Sequence, residues 1–403
     1  MKKKVLALVL AIAMIATLCI GLVACNGDNG ELKAIAKEDI KIGLICLHPA
    51  SQSTYDKNFV DAMNTAVREL GLDPATQLVI REDVDENNEC YDTAVDLVEA
   101  GCNIIFADSF GHEDYIIKAA KEFPSVRFCH ATGTQAHTEK LDNFYNAFAS
   151  IYEGRYLAGV VAGLKLNAMI EDGLDASDAK IGYVGAKPFA EVKSGYTSFY
   201  LGAKSVCPTV TMDVSFTGSW FDETAEKNTA LNLIDNRNCK LISQHADSYG
   251  APTACSEKGV PNVTYNIATK SYDTYLAYSK INWIPYYKYV VNCAINNETI
   301  AWDWVGTIAN GAVQFGEYGT SVTTEMIAQV DAVKAKIVSG EIKVFDCSKF
   351  TVGGKTLSEY MADVNSDAEF TPDTNVIEGG IFKESFFRAA PYFDIDIDGI
   401  TLI

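Results

Sequence analysis

Lys180-Ile-Gly-Tyr-Val-Gly185 restarts a pattern that the chain has already run through once from Lys41-Ile-Gly-Leu-Ile-Cys-Leu47. Each run is short and apolar at consecutive positions, which is the signature of a strand buried on both faces. After the first run, Phe59, Val60, Met63, Val67 and Leu70 recur at helical spacing within 58–70. Leu78-Val-Ile80 then precedes a helical segment at 91–100, and Asn103-Ile-Ile-Phe-Ala107 precedes another at 114–123. The run at 126–129 closes the series. From Lys180 the alternation continues through a helix at 195–206, a strand at 209–217, a helix at 223–234, a strand at 240–243, a helix near 251–258 and a strand at 262–265. Such alternation predicts parallel sheets covered by helices, and two series predict two α/β lobes.

Between the series lies 151–166, with Gly154, Gly159 and Gly163 spaced to let a helix pack closely on a sheet. Arg155 and Lys165 argue against a membrane span there. Beyond Tyr265 the pattern loosens. A segment at 272–283 and a helix at 286–295 are expected to return to the first lobe, and 305–315 to cross back. The expected division is 39–147 plus about 276–305 for lobe I, and 148–275 plus about 306–403 for lobe II.

The N-terminus reads as an export signal. Lys2, Lys3 and Lys4 precede an apolar run from Val5 to Leu22, which closes on Leu22-Val23-Ala24-Cys25. That tetrad resembles a bacterial lipobox, which implies cleavage after residue 24, acylation of the Cys25 thiol and an extracytoplasmic protein held at the cell membrane. Residues 25–38 read as the tether, polar and containing Gly27 and Gly30. Removing 1–24 takes away three lysines and deepens the formal charge from −20 to −23. So acidic a chain is repelled by nucleic acid and by anionic head groups, so no nucleic-acid partner is expected. Of eleven cysteines, Cys19 leaves with the signal and Cys25 is the lipid site. Cys46, Cys102 and Cys129 sit in or beside apolar runs, and buried free thiols are the expected state, with pairing among Cys207, Cys239 and Cys255 left open.

Parallel sheets bind ligands outside the carboxyl ends of their strands. The first run ends in His48, the Phe106 run in Asp108 and Ser109 with His112 beyond, and the next in His130 with Thr132. In the second series one run ends in Gln244-His245-Ala246-Asp247-Ser248 and another in Tyr265-Asn266. Two aromatic loops follow strands, Ser53-Thr-Tyr55-Asp56-Lys-Asn-Phe59 and Thr217-Gly-Ser-Trp220-Phe221-Asp222, with Phe59 assigned to the core. Each residue alone has a bland role as a cap or a packing group; together they predict a cleft closing on a polar small molecule. No Walker loop, G-x-S-x-G, H-E-x-x-H or post-strand G-x-G-x-x-G occurs, so no catalytic group, cofactor or metal site is expected. Asp394-Ile-Asp396-Ile-Asp398-Gly399 imitates a calcium loop but reads better as a half-exposed terminal strand.

Tyr152-Glu-Gly-Arg-Tyr-Leu-Ala-Gly159 with Ala162-Gly163, followed by Lys180–Gly185, resembles the start of the second lobe in the basic membrane protein (BMP) family of ABC-importer lipoproteins. Gly218-Ser-Trp220-Phe-Asp222 and Ser53-Thr-Tyr55-Asp56 are similar to that family's aromatic loops. The resemblance covers roughly residues 40–320. It implies a two-lobed type I periplasmic-binding-protein fold, α/β, each lobe a parallel sheet flanked by helices. It also implies an ABC permease partner and a small polar solute such as a purine nucleoside. By motif, Tyr55 and Trp220 or Phe221 would stack on the base, Asp108 and Asp247 would hold ribose hydroxyls, and Asn266 and Lys280 would read base edges. His48 and His245 stand where the family's usual wording differs. Against this importer reading stand a surface enzyme acting on nucleosides and a sensor lipoprotein that presents its ligand to a receptor.

Overall fold

The computed structural model describes residues 32–364 and 373–403, so the signal, Cys25 and the first part of the tether lie outside the described residues. The first series comprises β1 (Ile42–Ile45), α1 (Thr54–Glu69), β2 (Leu78–Arg81), α2 (Asn88–Glu99), β3 (Ile104–Ala107), α3 (Glu113–Glu122), β4 (Arg127–Ala131) and β5 (Phe144–Ala149). After α4 (Ile151–Glu171) come β6 (Lys180–Gly185), α5 (Ala190–Val206), β7 (Thr211–Phe216), α6 (Glu223–Asp235), β8 (Leu241–Gln244), α7 (Gly250–Lys258) and β9 (Asn262–Tyr265). Next are β10 (Tyr275–Ile281), α8 (Ile284–Asn296), β11 (Asp303–Gly306), β12 (Val313–Gly316) and α9 (Thr324–Val338). The tail holds two short ladders, β13 (Met361–Ala362) with β14 (Thr374–Asn375) and β15 (Ile377–Glu378) with β16 (Ile381–Phe382), then β17 (Ile400–Leu402).

Two sheets result. The first runs β11-β5-β4-β3-β1-β2, all neighbours parallel; Leu44 of β1 aligns with Ile80 and Phe106. The second runs β12-β10-β9-β8-β6-β7-β17, parallel except at the β10–β12 edge. Alternation along each strand sends side chains to opposite faces. Leu44 and Phe106 join the core under α1 and α8, whereas Ile45 and Ile105 join the one under α2 and α3. Tyr183 of β6 faces α4 and α5, and Val184 faces α6 and α7.

Three segments cross between the lobes and bond to each other. Ser150 N–H donates to Gly306 O and Asn282 N–H to Ala312 O, each at 2.7 Å. The crossings correct one expectation. Residues 275–281 belong to the second sheet, because β10 is paired on both edges by β9 and β12, and only from Asn282 does the chain return to the first lobe.

The glycines of α4 also act differently from the expectation. A Cβ on Gly159 would sit 1.9 Å from Phe199 O, and one on Gly163 would sit 2.5 Å from Ala203 O, both on α5. Reciprocally, a Cβ on Gly202 of α5 would meet Tyr156 O at 2.0 Å. The small residues therefore bring two helix backbones together, and only Gly154 faces the sheet, against Val313 and Ser279. All nine cysteines in the described residues are free and buried.

The tail is a strap rather than an appendage of one lobe. Phe345 stacks on Phe393 at 4.4 Å and packs against Tyr152 of α4, while Phe382 joins the same cluster. Ala389 N–H donates to Asp303 Oδ1 of β11 at 2.7 Å, and Ser194 of α5 donates to Glu384. One strap thus touches both sheets' supports. Its Asp394–Asp398 run is not a paired strand and ends in a turn at Asp398–Gly399, with Ile395 and Ile397 buried; the ladder begins only at Ile400. Asp394 and Asp396 hold Lys193 at 2.7 and 3.1 Å, and Asp398 takes the N–H groups of Gly353 and Gly354, so the aspartates are spent on local partners.

Gly159→Ala is expected to cost about 1–3 kcal/mol, because its methyl meets backbone that cannot rotate away. A lower urea midpoint would show it, and an unchanged midpoint would refute the close crossing. Burial pushes Glu384 up to about 7, with Glu191 and Glu153 raising it further while Ser194 and Ser385 lower it. A carboxyl raised in the folded state contributes stability that is full below its unfolded value of about 4.3 and is lost as pH rises through about 7. The melting temperature of Glu384→Gln should therefore fall less between pH 5 and 8 than that of the parent; equal slopes would count against this.

Candidate functional site

The carboxyl ends of both sheets face one another, and the closed lobes leave a narrow cleft between them with only about 20 Å³ of open space. The first lobe contributes Leu47 and His48 after β1, Tyr55 and Asp56 from the first turn of α1, Ser109 and Phe110 after β3, and Thr132 after β4. The second contributes Glu191 from the first turn of α5, Trp220 after β7, His245 and Asp247 after β8, and Tyr265 at the end of β9. Ser53 caps α1 by accepting from Asp56 N–H at 3.2 Å, which sets Tyr55 and Asp56 at the cleft wall.

The lobes touch across the mouth. Thr54 donates both its N–H and its hydroxyl to Asp247 O, at 2.8 and 3.0 Å. His48 meets Phe221 at 5.3 Å between ring centroids, and Phe110 meets Phe189 at 5.7 Å. The arrangement is a closed one.

The polar lining is dominated by acceptors. Asp56 Oδ1 accepts from His48 N–H at 3.0 Å, and Asp108 Oδ1, just beneath, accepts from Leu47 N–H at 3.2 Å. Asp108 Oδ2 is buried with no hydrogen-bond partner. Cys46, Asp56 and Asp108 bring three potential ligand atoms within 4.8 Å of one another. Burial, and then the Asp56 charge, push the Asp108 carboxyl well up, and burial followed by the Asp108 charge does the same to the Cys46 thiol. The three groups form a desolvated floor beneath the cleft, in which burial disfavours their charged forms. Across the cleft, burial first and Glu226 second raise Asp247. His245 Nε2 lies 3.3 Å from Glu191 Oε1, with its ring 4.8 Å from that of Tyr265. Thr132 Oγ1 and Trp220 Nε1 are buried and unpartnered, two positions that a bound solute would satisfy.

Of the residues expected from sequence, His48, Tyr55, Asp56, Ser109, Trp220, His245 and Asp247 line the cleft. Trp220 faces it, while Phe221 packs on His48. Asp108 lies one layer beneath, bonded to the chain around it and accepting from Tyr55 OH through its carbonyl at 2.8 Å. Three expectations are not met. His130 turns inward: Nε2 bonds Ser109 O at 2.6 Å, and burial lowers its pKa in a pocket shared with Glu113 and Asn146. Asn266 is buried outside the lining, in a left-handed conformation with its N–H on Ser279 O. Lys280 stands opposite Gln314 in the β10–β12 ladder, near Glu317 and Asp61, and does not line the cleft. Glu191, Phe110, Leu47, Thr132 and Tyr265 line it without having been singled out as ligand contacts. The strand-end rule applied to β6 points towards Glu191, but the four loop residues 186–189 separate β6 from the helix that carries it.

Ser109 donates its hydroxyl to Glu86 Oε1 at 2.6 Å, and Gly111 N–H donates to the same oxygen at 2.9 Å.

A family model described as ABC transporter substrate-binding protein PnrA-like (Bmp) matches residues 49–348. A purine-binding protein of Brucella abortus (strain 2308) is 31% identical over 318 residues, 77% of this chain and 85% of that one. A putative ABC transporter glucose-binding protein of Haloferax volcanii is 30% identical over 250 residues, 62% of this chain and 60% of its own length. Among solved structures, an ABC transporter solute-binding protein of Conexibacter woesei superposes with a TM-score of 0.61 at 19% identity, covering 75% of this chain and 97% of that one. The two-lobed parallel architecture, the cleft at its strand ends and the match over most of the chain agree, and this protein belongs to the PnrA-like (Bmp) family of ABC transporter substrate-binding proteins.

Proposed function

We propose that this chain captures a purine nucleoside outside the cell and delivers it to an ABC permease, held at the membrane by a lipid on Cys25. The observation that carries the nucleoside reading is the cleft lining. Tyr55 and Trp220 stand on opposite lobes, where their rings can take the two faces of a base, and Asp56 and Asp247 stand on opposite lobes as acceptors for ribose hydroxyls. Among the described residues no lysine or arginine lines the cleft, whereas Asp56, Glu191 and Asp247 do, so the lining favours an unphosphorylated solute over a phosphorylated one. Asp108, one layer down, supports the floor rather than touching the sugar. The name of the Brucella relative supports the same ligand class. The acceptor-rich wall also suits a monosaccharide, and the Haloferax relative's name makes glucose the competitor to test. Closure would be driven by contacts that the ligand makes to both lobes at once.

The mature protein should gain melting temperature with guanosine, inosine or adenosine and not with glucose; the reverse result would overturn the nucleoside reading. Trp220→Ala should weaken nucleoside binding about tenfold or more, from a stacking contribution of about 1–3 kcal/mol per base. Titration calorimetry would read it, and unchanged affinity would remove Trp220 from the site. Cys25→Ser should move the exported protein from the detergent phase to the aqueous phase in a Triton X-114 partition. Retention in detergent would exclude the lipid anchor.

A further inference from the structure

Glu191 stands apart from the other carboxylates of the cleft. It projects from the first turn of α5, with its side chain 13% exposed. It lines the cleft with Trp220, His245, Asp247 and Tyr265 of its own lobe and opposite Tyr55 and Asp56 of the other. It therefore sits between the lobes, where a base held by Tyr55 and Trp220 would present an edge. Oε1 is engaged by His245 Nε2 at 3.3 Å, while Oε2 receives no hydrogen bond from any described residue. His245 is itself fixed from three sides. Its N–H bonds Val184 O at 2.9 Å, its ring packs on Tyr265, and a Cβ on Gly195 of α5 would come within 2.9 Å of Nδ1. With Nε2–H donating to Glu191, the imidazole holds the carboxylate's orientation without competing for its second oxygen.

We propose that Glu191 is a specificity-determining residue that accepts hydrogen bonds from a donor edge of the base, with His245 as its positioning residue. This inference rests on the nucleoside reading above and narrows it. An ionised carboxylate only accepts, and its two oxygens match two adjacent N–H donors. A guanine edge offers N1–H and N2–H side by side. Hypoxanthine offers N1–H alone. Adenine offers an N1 lone pair beside its amino group, which the carboxylate repels. The site therefore ranks guanosine over inosine and inosine over adenosine, with about tenfold for each charge-assisted hydrogen bond lost. A buried acceptor left unpaired penalises the wrong edge as well as failing to reward it.

The test is calorimetric titration of the three nucleosides into the full mature protein and into two variants. Glu191→Gln keeps the shape but replaces one acceptor with a donor, and the amide then complements adenine's acceptor–donor edge. Its expected result is a reversed order, adenosine first, with guanosine weakened at least tenfold. Glu191→Asp keeps the carboxylate and is expected to keep guanosine first at lower affinity. A purely structural role would weaken all three nucleosides by the same factor in both variants, and that outcome overturns the proposal. Wild-type protein that binds all three equally, or adenosine best, overturns it while leaving the nucleoside reading standing. Wild-type protein that binds no nucleoside overturns both.

Discussion

The guanidinium of Arg155 is the buried charge on which the second lobe is organised. It lies in the first turns of α4 and is fully buried. It reaches Tyr183 OH of β6, Ser243 Oγ at 3.3 Å and Gln244 O at 3.1 Å in β8, and Ser279 Oγ of β10 at 3.5 Å. Its face also lies 5.0 Å from the ring of Tyr265 at the end of β9. A cation taken out of water needs its donors satisfied, so it fixes whatever supplies the oxygens. Here the suppliers are adjacent strands just before their ligand-bearing ends. Gln244 leads directly into His245, and Tyr265 packs against that imidazole at a tilt. The positions of His245 and Glu191 thus trace back to one side chain behind the sheet.

The close crossing of α4 and α5 serves the same end. Because Gly159, Gly163 and Gly202 let two backbones meet, the first turn of α5 is pinned against the helix that carries Arg155. Glu191 leaves from that turn. The strap adds a third constraint by burying Glu384 against Ser194, one turn further along α5, while its Ala389 is tied to Asp303 in the first sheet. Movement between the lobes must therefore accommodate three hinge crossings and the strap, and the strap lies largely beyond the part of the chain that the family model matches.

The cleft's electrostatics follow from what the two lobes contribute at closure. Asp56 over Asp108 comes from one side, Glu191 and Asp247 from the other, and the nearest buried cation is spent behind the sheet. Burial raises the Asp108 and Asp247 carboxyls, with Asp56 and Glu226 adding to the rise, so crowding these acids disfavours their charged forms. What remains is a wall that accepts hydrogen bonds and disfavours anions.

Much of this was legible in the linear chain. Apolar runs such as 41–47 and 180–185 gave their strands, because burial on two faces is a local property of consecutive residues. His48, Tyr55, Trp220 and Asp247 line the cleft because it opens at the carboxyl ends of the parallel strands, which the sequence pattern locates. The same rule selected His130 and Asn266 wrongly, since a strand end can turn its side chain into the lobe, and only packing by Glu113, Asn146 or Ser279 decides which. Glu191 was hidden by a loop, and Lys280 was placed by a lobe assignment that the β10 ladder reverses. By itself the sequence determined the two α/β units, the strand ends at which the cleft opens and the residue types found there. The tertiary structure alone decided which side chains share the cavity, because those choices depend on contacts such as Thr54 with Asp247 and Glu191 with His245, between residues far apart in the chain.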